Sequence, residues 1–459
     1  MKAKKPIRKI CLVYPNQTPL PRWFDKVSNI PKEPVLLPPL GLLYAAAATK
    51  RDVAVLDNRV ERLGLEDLVD RLSGFDAVGF SGTIFDARQA VDAARFLEKE
   101  GIPTIYGGPN ATVNPGLYKG VFSAVLRGEA EEALDPLLDA LESGNRPAEY
   151  EDLEGSWVAR FPFRVKDLDA VPEPDRSLVD MDRYLRREET YLPGLEPVDT
   201  VVSSRGCPYD CTFCSSKVIW QRRSSFRSPA SVASEMRSMA EEYGSRGFYF
   251  REDNFTVNRR RLLEMCDALE PLGFPWVCES RADTLDRETV RRMRKAGCRG
   301  IWFGVESTSN ETLKRIKKNI TIEEVKETVR LCREEGIRTG GGFILGFPHE
   351  GRADLLRTVQ ESREIGLDFV FYNRCWAIPK SALHDEIKAK GLDRYEFEGI
   401  VLPDTEYLHA DEVTEIYWNA VTSWKMRLAA KVLPVRVVET LDRAACKVLE
   451  SLGKGGRRG

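Results

Sequence analysis

The sequence predicts an α/β protein built as two units in series. The first, over residues 1–145, is an open parallel sheet with helices on both faces. The second, over residues 200–385, is a partial barrel of six β/α repeats. A linker over residues 146–199 joins them, and a small helical region with a disordered tail closes the chain over residues 386–459. Three observations carry this reading. Short β-branched or aromatic runs alternate with amphipathic stretches in both units, the pattern of strands buried between helical layers. The runs end in Gly or polar residues, as they do where parallel strands present ligand sites. From Asp411 to Ala430, Val413, Ile416, Tyr417, Ala420, Val421 and Trp424 recur at helical spacing.

Composition sets the outer bounds. The 459 residues carry a net charge of −2 and 42% hydrophobic residues, enough for large cores and no support for nucleic acid as a partner. No apolar run approaches the ~20 residues of a membrane span. Ala45-Ala46-Ala47-Ala48 is too brief, and the basic start Met1-Lys2-Ala3-Lys4-Lys5 is not followed by an apolar signal region. Seven of the ten Cys are scattered, which argues against a disulfide framework and for a reducing, cytoplasmic setting.

In the first unit, Ile10–Tyr14, Val53–Asp57, Ala77–Ser81, Pro103–Tyr106 and Ala124–Leu126 read as strands, with helices over Gly41–Thr49 and Asp86–Glu100. The strand ends are Asp57-Asn58, Ser81-Gly82-Thr83, Gly107-Gly108-Pro109-Asn110 and Arg127-Gly128-Glu129. They serve equally as ordinary turns or as a face that lets backbone approach a large ligand. In the linker, Gly155–Arg160 and Phe163–Val165 suggest a small hairpin, and Pro172-Glu173-Pro174-Asp175 an extended connector.

The second unit starts with the strand Thr200-Val201-Val202. Ser228-Pro229 opens a helix over 229–243, Ser as N-cap and Pro at the first helical position. Strands follow at Gly247–Phe250, Trp276–Cys278, Ile301–Val305, Gly342–Leu345 and Phe369–Tyr372. Their ends carry Glu252-Asp253-Asn254, Glu279-Ser280-Arg281, Glu306-Ser307, Gly346-Phe347 and Asn373-Arg374. Gly340-Gly341-Gly342 reads as a bulge or tight turn. The basic, aromatic run Trp220–Arg227 is either an anion clamp or a solvated loop, and Cys375 a buried thiol.

Just past the first barrel strand stands Cys207-Pro208-Tyr209-Asp210-Cys211-Thr212-Phe213-Cys214. Three thiolates on one tight loop suit three irons of a 4Fe–4S cubane, which ordinarily takes four Cys. The fourth iron is then open to a ligand. Buried small hydrophobes or three of four zinc ligands are the alternatives, and no second Cys or Cys/His pair follows to complete a zinc site.

C-x3-C-x2-C with Phe213 before the last Cys resembles the radical S-adenosylmethionine (SAM) superfamily. The resemblance implies a TIM-type (β/α)6 barrel in which Cys207, Cys211 and Cys214 hold the cluster and the open iron holds SAM. It further implies that Glu252, Asp253 and Asn254 hold the SAM amino group and that Arg281 lies near its carboxylate or ribose. Glu306 would meet the ribose hydroxyls, and the Gly342–Gly346 stretch would pack on adenine. Upstream, Pro38–Leu42, Ser81-Gly82-Thr83, Gly107-Gly108-Pro109-Asn110 and Arg127-Gly128-Glu129 are similar to the Rossmann-like (flavodoxin-like) cobalamin-binding domain that precedes many such barrels. Ser81, Thr83, Gly107, Gly108, Gly128 and Glu129 are its implied contacts. The segment has no His, so it supplies no His to the cobalt; the three His are His349, His384 and His409.

The activity this resemblance implies is methylation of an unactivated carbon in a small-molecule substrate. A 5′-deoxyadenosyl radical takes a hydrogen, the substrate radical takes a methyl group from cobalamin, and a second SAM restores it. Flavodoxin or ferredoxin is the implied electron donor. Cyclisation, rearrangement or oxidation without methyl transfer is the alternative within enzymes, as is a first unit that no longer binds cobalamin. A methylthiotransferase fits poorly, because Cys11 is the only Cys of the first unit. A non-catalytic sensor would not need the full set of SAM-matching strand ends.

Overall fold

A computed structural model describes residues 6–16, 37–185 and 197–432, with side chains through residue 423. The expected helix over 435–452, the tail from Gly453, Cys446, the basic first five residues and the Trp424 side chain lie outside the described residues.

Seven strands make the first sheet: β1 (Lys9–Tyr14), β2 (Asp52–Asp57), β3 (Ala77–Ser81), β4 (Thr104–Gly107), β5 (Ala124–Val125), β6 (Tyr150–Leu153) and β7 (Ser156–Ala159), in the order β2-β1-β3-β4-β5-β7-β6. All neighbours are parallel except β6 and β7. Alternation along the strands explains the two layers. Ile10, Leu12 and Ile105 pack with the helices Leu40–Ala48 and Leu134–Ser143. Cys11, Val13, Val78, Phe80 and Tyr106 face the helices Leu65–Leu72 and Ala87–Lys99. The helix Leu65–Leu72 is an addition to the expected elements; Leu65, Leu68, Val69 and Leu72 form its i, i+3, i+4, i+7 set. The linker hairpin is present, but its first strand is Tyr150–Leu153 and it turns at Glu154-Gly155, where both φ are positive. Phe163 instead bridges Gly128.

The second sheet holds six parallel strands in the order β15-β14-β13-β12-β11-β8. They are β8 (Val198–Val201), β11 (Gly247–Phe250), β12 (Trp276–Ser280), β13 (Cys298–Glu306), β14 (Arg338–Leu345) and β15 (Phe369–Arg374). A short antiparallel ribbon, β9 (Ser204–Arg205) with β10 (Ser225–Phe226), follows β8. The expected helix runs Pro229–Tyr243, and the Ser228 hydroxyl accepts from Ser231 N. Gly340-Gly341-Gly342 is not a turn: it lies inside β14, and the irregularity sits on β13 between Gly304 and Glu306. The reason is packing, since a Cβ on Gly340 would overlap the Trp302 indole. The C-terminal region contains a hairpin, β16 (Tyr395–Phe397) with β17 (Ile400–Leu402), before the helix Ala410–Val432, whose Val413, Ile416, Tyr417, Ala420 and Val421 are buried.

Linker and barrel share one buried charge set. Arg176 meets Glu235 at 2.7 Å and Asp199 at 3.6 Å, and Arg227 binds the other Glu235 oxygen and Tyr44 Oη in the first unit. Arg227 is thus a structural cation and not part of an anion clamp.

A second buried acid makes a prediction. Glu350 accepts the N–H groups of Gly346 (3.1 Å) and Phe347 (3.0 Å), and burial pushes its carboxyl up to about 7. The folded chain therefore holds this proton more tightly than the unfolded one, so stability falls as pH rises from about 4.5 to 7 and is flat beyond. Glu350→Gln keeps an oxygen acceptor without the titration. Between pH 5 and pH 8 wild type should lose on the order of 3 kcal/mol of unfolding free energy that the variant keeps, read by denaturant titration at the two pH values. Equal pH dependence in both proteins would refute this.

Candidate active site

The cysteine loop leaves β9 at Gly206. This residue has φ +93, and a Cβ there would overlap the Arg223 carbonyl, so only Gly fits. Gly206→Ala should therefore misplace the loop without touching a thiol, lowering iron content after reconstitution at least about tenfold, as a supporting-group loss can; wild-type iron content would contradict it. Downstream, Thr212 N donates to Ile316 O and Leu383 N donates to Thr212 O, both at 2.9 Å, so the loop is tied to two barrel segments. Ser216 N lies 3.4 Å from Cys214 Sγ, and Arg281 Nη1 lies 3.9 Å from Cys211 Sγ. The Arg281 guanidinium also covers the Tyr209 ring at 3.8 Å.

Cys207, Cys211 and Cys214 line one cavity of about 400 Å3 in the barrel mouth. Burial raises all three thiols, Cys214 to about 12, so iron would have to displace their protons. Among the described residues, no three His, Cys, Asp or Glu are gathered as ligands of a single ion. Cubane ligands each take a different iron and need no such convergence. Three soft donors around a cavity, with N–H groups and a guanidinium aimed at the sulfurs, fit a cluster with one iron open.

The same cavity collects Phe213, Asp253, Arg281, Glu306 and Gly342. Arg281 binds both Asp283 oxygens at 2.9 Å and Lys318 O at 2.7 Å, which fixes its fork. Glu306 follows the β13 bulge at φ +73, a conformation rare for a residue with a Cβ, and Lys318 Nζ holds its Oε1 at 3.1 Å. Asp253 accepts from Gly206 N at 3.2 Å, so it also steadies the cysteine loop. Three expected contacts are elsewhere. Glu252 turns its carboxylate onto Ser203 N and the Ser204 hydroxyl. Asn254 is buried beside Thr256. Gly346 sits at φ +95 against Val413.

A second cavity, about 500 Å3, lies between the carboxyl ends of the first sheet and the barrel. Ser81, Gly107, Gly108, Gly128 and Glu129 line it; Thr83 does not, because its N–H and hydroxyl both donate to Asp86. Gly108 (φ +86) and Gly128 (φ +84) are demanded by backbone and close neighbours. Gly41 and Gly107 differ: an added Cβ would stand in open space, with nothing nearer than 3.9 Å. That glycine-faced, largely apolar hollow fits a broad ligand such as a corrin. No His lines it. Glu129 is not free for a ligand. Its carboxylate binds Arg205 Nη1 at 2.5 Å and Val165 N at 2.9 Å, and Arg205 also reaches Glu131 at 2.7 Å. These acids hold the residue just before the cysteine loop.

The two cavities share Asp253 and Glu279. Glu279, its partner Tyr249 and the Lys318 that holds Glu306 are site residues the motifs did not mark. The sequence places Glu279 at the strand end with Ser280 and Arg281 but gives it no role; its place two positions before Arg281 is a further signal.

The profile of the radical SAM superfamily matches residues 201–361. An uncharacterized methyltransferase of Pyrococcus horikoshii is 30% identical over 372 residues, which is 77% of this chain and 79% of that protein. The anaerobic magnesium-protoporphyrin IX monomethyl ester cyclase of Rubrivivax gelatinosus is 26% identical over 386 residues, 79% of this chain and 68% of its own. In fold, the chain is similar to the radical SAM methyltransferase TsrM of Kitasatospora setae, solved with cobalamin and a 4Fe–4S cluster bound. The TM-score is 0.68 at 18% identity, covering 84% of this chain and 79% of that one. Sequence relationship across both units, together with the thiol-lined barrel mouth, leads to one conclusion: the chain belongs to the radical SAM superfamily, among its methyltransferase-like proteins.

Proposed function

We propose that the protein is a radical SAM enzyme that, with cobalamin, methylates an unactivated carbon of a small-molecule substrate, drawing electrons from a flavodoxin or ferredoxin. The observation that carries this is the meeting of two cavities at one wall, Asp253 and Glu279. A substrate held there touches both. Bound in these cavities, the cluster, SAM and cobalamin supply a hydrogen-abstracting radical and a methyl donor.

The chain's own residues position and shield. Cys207, Cys211 and Cys214 hold the cluster, and Gly206, Thr212 and Arg281 fix their loop. Asp253 offers a carboxylate to the SAM amino group. Arg281 offers its remaining guanidinium donor to the SAM carboxylate, and Glu306 accepts from ribose hydroxyls. Phe213, packed on Phe347 at 6.1 Å, closes the side of the mouth. Around the upper ligand, Gly41 and Gly107 leave room, while Leu12, Leu126 and Leu134 exclude water.

Radical chemistry without methyl transfer is the second reading, and the relative named a cyclase favours it. Anaerobic reconstitution with iron, sulfide and cobalamin tests the proposal. About four irons and one cobalt per chain, with reductant-dependent 5′-deoxyadenosine from SAM, are expected. Iron and 5′-deoxyadenosine without cobalt would remove the methylation claim.

A further inference from the structure

Tyr249 on β11 and Glu279 on the adjacent β12 both line the lower cavity, and the Tyr249 hydroxyl donates to Glu279 Oε1. Two acids near this mouth are matched by cations, Asp283 by Arg281 and Glu306 by Lys318, while Asp253 accepts from the Gly206 N–H. Among the described residues Glu279 makes no ion pair. Burial raises its carboxyl, Arg251 relieves this from a distance, and Asp253 opposes it. Glu279 is half-buried in the wall of both cavities, and an acid held there without a cation is most readily completed by a ligand's donor.

Glu279 faces both cavities, so its missing partner belongs in the gap between them. The lower wall beside it is aromatic. Trp302 and Phe371 pack with ring centroids 4.9 Å apart, and Phe371 is 44% exposed although it points into the barrel mouth. Such a wall takes an apolar or aromatic body, while a carboxylate or phosphate would be repelled by the two acids.

We infer that Glu279, oriented by Tyr249, grips the substrate, and that this substrate presents a hydrogen-bond donor, an amine or a hydroxyl, beside its reacting carbon. The inference rests on the reading that substrate stands between the two cofactor cavities. Glu279 is a binding residue and Tyr249 a positioning residue that acts through it.

One scaffold with three head groups tests it: 2-phenylethylamine, 2-phenylethanol and phenylacetate, titrated calorimetrically into the reconstituted full chain with SAM present. The amine or the alcohol should bind at least about tenfold tighter than phenylacetate, the scale of one charge-assisted hydrogen bond. Glu279→Gln should shrink that ratio by about tenfold. Glu279→Asp should restore part of it, and Tyr249→Phe should lower it to a lesser degree. A preference for the amine alone identifies a cationic head; equal preference identifies any donor; both support the inference. Phenylacetate binding as tightly as the others, no binding by amine or alcohol, or a ratio untouched by Glu279→Gln overturns it. So does a Glu279→Gln loss confined to SAM affinity, which would assign the acid to the cofactor. Wild-type 5′-deoxyadenosine formation is followed in parallel. Its absence means that the radical SAM reading has failed; its presence with a flat ratio means that only the inference has.

Discussion

A Cys211→Ala chain, reconstituted without oxygen, is expected to form no detectable 5′-deoxyadenosine and to hold far fewer than the wild type's four or so irons. The side chain is buried at the centre of the thiol set, with the Arg281 guanidinium beside it. Its removal leaves two ligands for a cluster that already lacks a fourth. The loop itself should persist, because Thr212 is tied to Ile316 and Leu383 through backbone bonds that no thiol makes. The loss should therefore exceed the roughly 10–100-fold that removing a merely supporting group costs. Iron analysis and product chromatography on one preparation read both quantities. Retained SAM cleavage would sink the cluster assignment.

The other large effect belongs to Gly107→Phe. Its φ of −132 is ordinary extended backbone that any residue adopts, and an added Cβ points into the upper cavity. A phenyl ring there occupies the space a corrin would need, and its Cβ meets nothing nearer than 3.9 Å. Cobalt should fall from about one per chain to near zero, a loss of at least about a hundredfold in affinity on the scale of a steric block worth ~3 kcal/mol. Iron loading should continue, since the cysteine loop lies on another element. Undiminished cobalt would remove cobalamin from this cavity.

Much of this architecture was legible because it is local. Most strands are short apolar runs closed by Gly or a polar residue, and period-two alternation delivers their residues to both layers. The cysteine loop is eight consecutive residues, readable by spacing alone. What escaped depends on partners far away in sequence. Glu129 looks like a strand-end ligand, yet Arg205, 76 residues on, has taken its carboxylate. Glu252 sits beside Asp253 in the bend after β11 but turns back to Ser203 and Ser204, about fifty residues earlier in the chain. Thr83 is consumed by Asp86 three residues later, a turn bond the sequence permits without requiring. Glu279 gains its meaning only from a cavity boundary that no motif records.

The charge set around Glu235 bears on modularity. Arg176 comes from the linker, Asp199 and Glu235 from the barrel, Tyr44 from the first unit. A cut between Arg176 and Val198 would strip Glu235 of one of its two cations and leave Asp199 buried without its arginine. The barrel is thus not a cassette that can be lifted out at its first strand. In any exchange of domains between relatives, the linker arginine has to travel with the barrel, and Tyr44 marks where the donor's first unit must match.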